Sequence, residues 1–377
     1  MKQSAVGFPL SAKTKDKDCR KRIAEGRKQN LFMKKGCSIF AGIALLALLI
    51  GGWFGYRYYQ KYFANNVEKE GYILIPHSAN FNSILDSITP FVKNKESFAA
   101  VAKDKNLNRF FNAGRYRIKS GTNNTDLVNM IKAGNQTENT YRIGDFFTVY
   151  QMVGRVAKKT ELDSLRFATD FNKIASEKGY SSAEDLKKYF FIDTYNFFWT
   201  VTPKEFFKKF EDEYNTFWNA ERKQKEQQSG LTRNQIYALA SLVYKETGGK
   251  PDEMKTVAGL YLNRYKKGMK LQSDPTVIYA VAKANNFKDA PIRRVLFKHL
   301  REDSPYNTYA NVGIPPGPIC VVDKNSVDAV LNAEKNDYIY MCANPAKFGY
   351  HKFTASAAEH AVNAKAYQDW LNSKNIK

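Results

Sequence analysis

Glu246 is the residue whose type and setting best suit acid–base chemistry. It lies in the run Ala-Leu-Ala-Ser-Leu-Val-Tyr-Lys-Glu-Thr-Gly-Gly, residues 238–249. Ile236, Leu239, Ala240 and Val243 recur at i, i+3, i+4 and i+7, the spacing of one buried helical stripe. Thr232-Arg-Asn-Gln235 has the form of a capping box at the helix start, and Gly248-Gly249 ends it. Ten residues after Ile236 the helix has turned about 1000°, roughly 80° short of whole turns. Glu246 is therefore expected at the edge of the stripe, with Lys245 on the other side. Partial burial and the negative end of the helix dipole both disfavour a carboxylate. A carboxyl group raised in pKa this way suits a general acid near neutral pH. The plainer alternative is a surface Glu paired with Lys250 or Lys255.

The segments that follow supply polar side chains on rigid turns. Thr256-Val-Ala-Gly-Leu-Tyr-Leu-Asn-Arg264 reads as a helix with Asn263 and Arg264 at its end. Gly268-Met-Lys-Leu-Gln-Ser-Asp-Pro-Thr276 crowds Gln272, Ser273, Asp274 and Thr276 around a proline turn. Farther on come Ser304-Pro-Tyr-Asn-Thr-Tyr309 and Gly313-Ile-Pro-Pro-Gly-Pro-Ile319. Such loops offer neutral partners for hydroxyl and acetamido groups, and aromatic faces for pyranose rings. They fit a sugar-binding groove.

A hydrophobic segment bounds where this chemistry can occur. Residues 36–56 carry no charge and are long enough to cross a hydrocarbon core as a helix. Trp53, Tyr56, Tyr58 and Tyr59 cluster at one end, as in an interfacial aromatic belt. Residues 1–35 hold eleven Lys/Arg against three acids, so this tail is expected to stay cytoplasmic. A cleaved signal peptide is the competing reading, but no small-x-small site follows the apolar run convincingly. The expected location is a single-pass inner-membrane anchor with a periplasmic catalytic domain. Nucleotide cofactors are scarce there, and no cofactor is expected.

The net charge of +22 and the 14% aromatic content fit an anionic neighbour. No nucleic-acid-binding signature accompanies them, so the partner is not expected to be nucleic acid. Four cysteines and no C-x-x-C argue against a metal site. Cys320 and Cys342 are either a pair formed in an oxidising compartment or two unpaired small apolar residues.

Beyond the anchor, residues 57–70 read as a polar-aromatic stalk. Tyr72–Ile75 and the segment 112–118 read as strands, with helices starting near Asn82 and Gly121, a small α+β module over 71–137. A second strand-to-helix passage opens at Thr140 and starts the remaining domain, 138–377. Helices are expected from Glu161 to about Gln228, interrupted near Tyr189–Trp199.

Together these motifs resemble those of the MltG (YceG-like) endolytic murein transglycosylases. The resemblance rests on Ala-Ser-Leu-Val-Tyr-Lys-Glu-Thr, Val-Ala-Gly-Leu-Tyr-Leu-Asn-Arg, Leu-Gln-Ser-Asp-Pro-Thr-Val-Ile-Tyr, Ser-Pro-Tyr-Asn-Thr-Tyr, Gly-Ile-Pro-Pro-Gly-Pro-Ile and the closing Ala-Glu-His. Asp193-Thr-Tyr195 is similar to the family's D-T-Y element. The family more often reads I-V-E-K-E where this chain has Val243-Tyr-Lys-Glu246, so Tyr244 replaces an acid. The resemblance implies an α+β fold: an N-terminal transmembrane helix, a LysM-like module and a mixed α/β catalytic domain.

It also implies that Glu246 is the one essential acid/base. Such an enzyme protonates the glycosidic oxygen between MurNAc and GlcNAc within a strand. It then removes the proton from the C6 hydroxyl of the same MurNAc, leaving a 1,6-anhydro end. Gln272, Ser273, Asp274 and Thr276 are expected to line the cleavage subsite, and Tyr306 and Asn307 to hold N-acetyl or pyranose groups. Asn263, Arg264, Ser304 and Thr308 complete the expected substrate-binding set. Asp274 is either a second carboxylate facing Glu246 across about 6–9 Å, which would allow hydrolysis, or a turn cap before Pro275. His351 and His360 are groove residues or structural hydrogen-bonders. The expected partners are peptidoglycan strands, the inner membrane and peptidoglycan synthases. The alternatives are a muramidase using Glu246 and Asp274, and a non-catalytic wall-binding scaffold.

Overall fold

A computed structural model describes residues 12–374. The described chain divides into two compact units. One runs to residue 112 and includes 116–135; the other comprises 113–115 and the chain from 136 onward.

The first unit begins with one long helix, α1 (Ala12–Tyr62). Its segment Phe40–Tyr62 is the one stretch among the described residues long and apolar enough to cross a membrane. That segment lies toward the C-terminal side of the expected 36–56. Helix α1 also runs through the first part of the expected stalk, and its end is tied down: Lys61 Nζ and Tyr62 Oη each reach Asp104 Oδ2 at 2.5 Å. Asn66, another expected stalk residue, is buried and donates to Asn124 Oδ1 at 2.7 Å. Residues 1–11 of the basic tail lie outside the described residues.

The rest of this unit runs β1 (Gly71–Ile75), α2 (Phe81–Ile88), α3 (Lys95–Asp104), β2 (Gly114–Ile118, of which Tyr116–Ile118 belong to this unit) and α4 (Asn124–Ala133). Strands β1 and β2 form a two-stranded sheet. Alternation puts Ile73 and Ile75 of β1 and Tyr116 and Ile118 of β2 inside, where they meet Ile84, Phe98, Leu127 and Ile131 from the helices. Asn80, Asn94 and Asn123 cap the three helices, each accepting from a backbone N–H three residues on.

The second unit opens with β3 (Asn139–Ile143), α5 (Val149–Ala157) and α6 (Ser164–Glu177), then β4 (Asp193–Phe197) and α7 (Pro203–Phe217). Strands β3 and β4 pair antiparallel, with Tyr141 opposite Tyr195. Phe167, Phe171, Phe190, Phe206 and Phe210 form an aromatic core beneath them. Asp193-Thr-Tyr195 thus starts a strand, and Tyr195 Oη donates to the Phe191 carbonyl at 3.2 Å.

Next come α8 (Ala220–Ser229), α9 (Arg233–Thr247), α10 (Pro251–Lys266), α11 (Asp274–Ala284) and α12 (Lys324–Leu331). Helix α9 is central and packs against α10, α11 and α12. Every residue from Ile236 to Val243 is buried. The expected single stripe is therefore a helix covered on all sides, because three helices and the 313–319 loop enclose it. The capping box forms, with Gln235 Oε1 accepting from Thr232 N at 2.9 Å. Gly248 ends the helix at φ +59°, a left-handed conformation that suits glycine.

The chain closes with β5 (Tyr340–Ala343), β6 (His351–Thr354) and α13 (Ala357–Ser373). β5 and β6 form an antiparallel hairpin with Ala343 opposite His351.

Candidate active site

A cleft of about 310 Å³ opens where α9, α10, the start of α11 and the β5–β6 hairpin meet. Glu246, on the last turn of α9, lines it together with Tyr261 and Arg264 of α10. Gln272, Asp274 and Tyr309 form another wall, and Cys342, His351 and His360 a third.

Glu246 is held by one oxygen. Oε1 accepts from Ser273 Oγ at 2.6 Å and from Tyr261 Oη at 2.9 Å. Neither donor bonds to Oε2, which has no hydrogen-bond partner among the described residues. Burial pushes the Glu246 pKa up, and the two hydroxyl donors and the nearby His351 oppose that shift. The Asp274 charge adds to it. Burial outweighs its opponents, so the carboxyl group keeps its proton to higher pH than an ordinary glutamate.

The donors are themselves braced. Ser273 is fully buried, and its N–H donates to Thr308 Oγ1 at 2.9 Å. Thr308 Oγ1 also meets Thr276 Oγ1 at 2.8 Å, and Thr276 Oγ1 donates to the Ser273 carbonyl at 2.6 Å. A closed ring of buried polar groups thus fixes the hydroxyl that holds Glu246. Such a fully satisfied network is rigid.

Arg264 braces the cleft. Its guanidinium is buried among the carbonyl oxygens of Ile339 (2.5 Å), Lys270 (3.3 Å) and Leu271 (2.9 Å) and Gln272 Oε1 (3.2 Å). One planar fork therefore ties the segment before β5 to the segment before α11. Gln272 has φ +50°, and its N–H donates to the Thr308 carbonyl at 3.2 Å. A non-glycine residue in this region stores strain of about 1–3 kcal/mol, a common feature of working sites.

The hairpin brings two histidines. His351 N donates to Glu253 Oε1 at 2.8 Å, and its Nδ1 lies 3.1 Å from Glu253 Oε2. Glu253 fixes the ring from below. His360 stacks on Tyr340 with centroids 5.0 Å apart. Burial lowers the His360 pKa, and the Arg264 charge lowers it further.

Not all expected substrate-binding residues line the cleft. Arg264, Gln272 and Asp274 do, and Ser273 joins them through Glu246. Thr276 and Thr308 are buried behind Ser273. Asn263 faces away and binds the carbonyls of Asn336 and Tyr338 at 2.7 and 3.1 Å. Asn307 is fully buried and donates to the carbonyls of Leu300 and Glu302. Ser304 is buried too; its carbonyl accepts from Asn311. Tyr306 packs against Tyr279 with tilted rings, centroids 4.7 Å apart, and borders a separate depression. The 313–319 loop is strapped to α9, with Asn234 Nδ2 bound to the Pro316 carbonyl and Ser241 Oγ accepting from Ile319 N.

Asp274 is no cap. Ser273 precedes α11 without a side-chain capping bond, and Asp274 Oδ1 accepts from Tyr309 Oη at 2.7 Å. Cys320 and Cys342 are both unpaired. Burial pushes the Cys320 thiol up to about 12.

Tyr261 and Tyr309 had no assigned role in the sequence. Helical spacing held the signal for Tyr261: it shares a face with Arg264 three residues on, while Asn263 cannot.

The model of the YceG-like family matches residues 73–366. The chain belongs to the YceG-like family. An endolytic murein transglycosylase of Bacillus subtilis is 30% identical over 353 residues, covering 88% of this chain and 93% of that protein. One of Streptococcus pneumoniae is 26% identical over 344 residues, 81% of this chain and 61% of the pneumococcal protein. The crystal structure of a yceG-like protein from Listeria monocytogenes superposes with a TM-score of 0.51 at 24% identity. It covers 78% of this chain and 98% of the Listeria chain, and supports the fold.

Proposed function

We propose that this chain is a membrane-anchored lytic transglycosylase that cuts peptidoglycan strands internally, with Glu246 as its acid and base. The observation that carries the reading is the held carboxyl group: Oε1 fixed by Ser273 and Tyr261, Oε2 unbonded, and the pKa raised by burial. Murein transglycosylase relatives at 26–30% identity support the substrate class.

The proposed chemistry follows from that geometry. Glu246 enters protonated, with the proton on Oε2. It protonates the oxygen linking MurNAc C1 to GlcNAc, and that bond breaks. Ser273 and Tyr261 then stabilise the carboxylate through charge-assisted bonds. The carboxylate takes the proton of the C6 hydroxyl on the same MurNAc, and O6 closes on C1. Bonds and protons balance without water, and an intramolecular hydroxyl replaces a bimolecular step.

Asp274 lines the same cleft and favours a second reading, a muramidase in which it directs water. Mass analysis of products from purified protein and isolated strands separates the two. Anhydro ends are one water lighter than hydrolysed ends. Glu246→Gln should abolish release while leaving the fold intact. A folded Glu246→Gln protein with full activity sinks the assignment. Binding to wall without turnover would instead mark a scaffold.

The anchor reading gives Phe40–Tyr62 one membrane crossing, with the N-terminus cytoplasmic and both folded units outside. The eleven basic residues against three acids in 1–35 support that orientation. We read residues 71–137 as a LysM-like module holding glycan, on the strand–helix–helix–strand order of β1, α2, α3 and β2. Synthases in the same membrane would supply nascent strands.

A further inference from the structure

We propose that a second, basic groove beside the end of α9 docks the free carboxylates of peptidoglycan stem peptides. The inference rests on the peptidoglycan reading above and adds a substrate feature to it. The groove measures about 610 Å³ and lies among β3, α5 and the last turn of α9. Arg142, Arg155, Lys159 and Lys245 line it against one acid, Asp145. That acid is taken, because Lys245 Nζ lies 2.5 Å from Asp145 Oδ2. Lys159 Nζ leans on the Thr140 carbonyl at 3.4 Å and over the Tyr141 ring.

Arg142 and Arg155 differ from these. Both are exposed, and neither side chain has an ion-pair or hydrogen-bond partner among the described residues. Elsewhere in the unit Arg222 and Arg233 each hold a carboxylate, from Asp328 and Glu226. A guanidinium fork matches a carboxylate in shape and charge. Between the cations the groove floor is apolar, with Ile143, Met152 and Val156 buried. Charge over an apolar floor suits a short peptide with small aliphatic side chains and free carboxylates. A neutral sugar offers no anion to these arginines.

Position selects the stem peptide as the source of the carboxylate. Lys245 lines the groove and Glu246, the next residue, lines the cleft. Their Cα atoms are about 3.8 Å apart. A strand seated at Glu246 carries a peptide on the lactyl group of each MurNAc. Four or five extended residues reach roughly 13–18 Å, more than the roughly 10–12 Å breadth of the one helix that carries both residues.

The test uses the full chain on two substrates from one wall preparation: strands with stem peptides, and strands stripped by an amidase. Arg142→Ala/Arg155→Ala should raise KM about tenfold on peptide-bearing strands with kcat unchanged. On stripped strands the gap from the unaltered protein should close. Arg142→Lys/Arg155→Lys, which keeps charge but loses the fork, should fall between. An unchanged KM on peptide-bearing strands overturns the proposal. So does an equal loss on both substrates, which would assign the arginines to the fold or to an anionic lipid surface. Failure of the unaltered protein on both substrates would instead sink the peptidoglycan reading, so the two failures are distinguishable.

Discussion

Ser273→Ala separates positioning from substrate binding. Ser273 is fully buried, and its Oγ reaches Glu246 Oε1 at 2.6 Å. Alanine removes that donor and little else, because the Ser273 N–H stays bound to Thr308 and its carbonyl to Thr276. A hydrogen bond to a charged group is worth about 1.5–3 kcal/mol. Its loss falls on the carboxylate that forms as the glycosidic bond breaks, so kcat should drop about ten- to hundredfold. KM should stay within about threefold, since the hydroxyl does not line the cleft. The sign of the pH effect follows as well. The bond favours the charged form of Glu246, so removing it lets the carboxyl group hold its proton to higher pH. The alkaline limb of kcat should move upward. The assay is initial-rate release of muropeptides across pH. A raised KM with unchanged kcat would refute the positioning role and restore Ser273 as a substrate contact. An alkaline limb moved downward would refute the electrostatic argument.

Three further outcomes are expected. Glu246 has a raised folded-state pKa, so stability present below the unfolded glutamate value is lost as pH rises toward the folded one. Glu246→Gln should therefore melt increasingly above the unaltered protein as pH climbs from about 4.3, by about 2–4 °C per kcal/mol; a pH-independent difference by calorimetry contradicts this. Gly259→Ala puts a Cβ 2.4 Å from the Glu334 carbonyl oxygen and 2.9 Å from Asn336 Nδ2. It should cost about 1–3 kcal/mol in Tm measurements and loosen the segment leading to β5, and an unchanged Tm would count against the close approach. Glu253→Gln and His351→Gln act on one pair, so their effects on kcat/KM should be non-additive in a double-mutant cycle; simple additivity would dissolve the pair.

The place of Glu246 was legible because a helix with clear caps and period fixes it by arithmetic. The cleft around it was less so. Asn263 and Arg264 are adjacent in sequence, yet one hundred degrees of helical rotation sends the first to the carbonyls of Asn336 and Tyr338 and the second to the cleft. In Ser-Pro-Tyr-Asn-Thr-Tyr309 the loop turns Asn307 and Thr308 inward, and Tyr309 alone of these reaches Asp274. Polar residues in such loops serve the backbone as often as a ligand, and composition cannot separate the two uses. The β5–β6 hairpin was missed because its short strands gain their order from pairing and from Arg264, partners distant in sequence. The full burial of α9 was hidden for the same reason: the helices that cover it are long-range neighbours.

The most direct test of the central claim is the fate of water in the cut. Peptidoglycan strands are incubated with the purified protein in water carrying heavy oxygen, and the new MurNAc ends are analysed by mass spectrometry. If Glu246 works alone and O6 closes on C1, the ends are anhydro, one water lighter than hydrolysed ends, and free of label. Reducing MurNAc ends carrying heavy oxygen would contradict the account and assign Asp274 to a hydrolytic reaction.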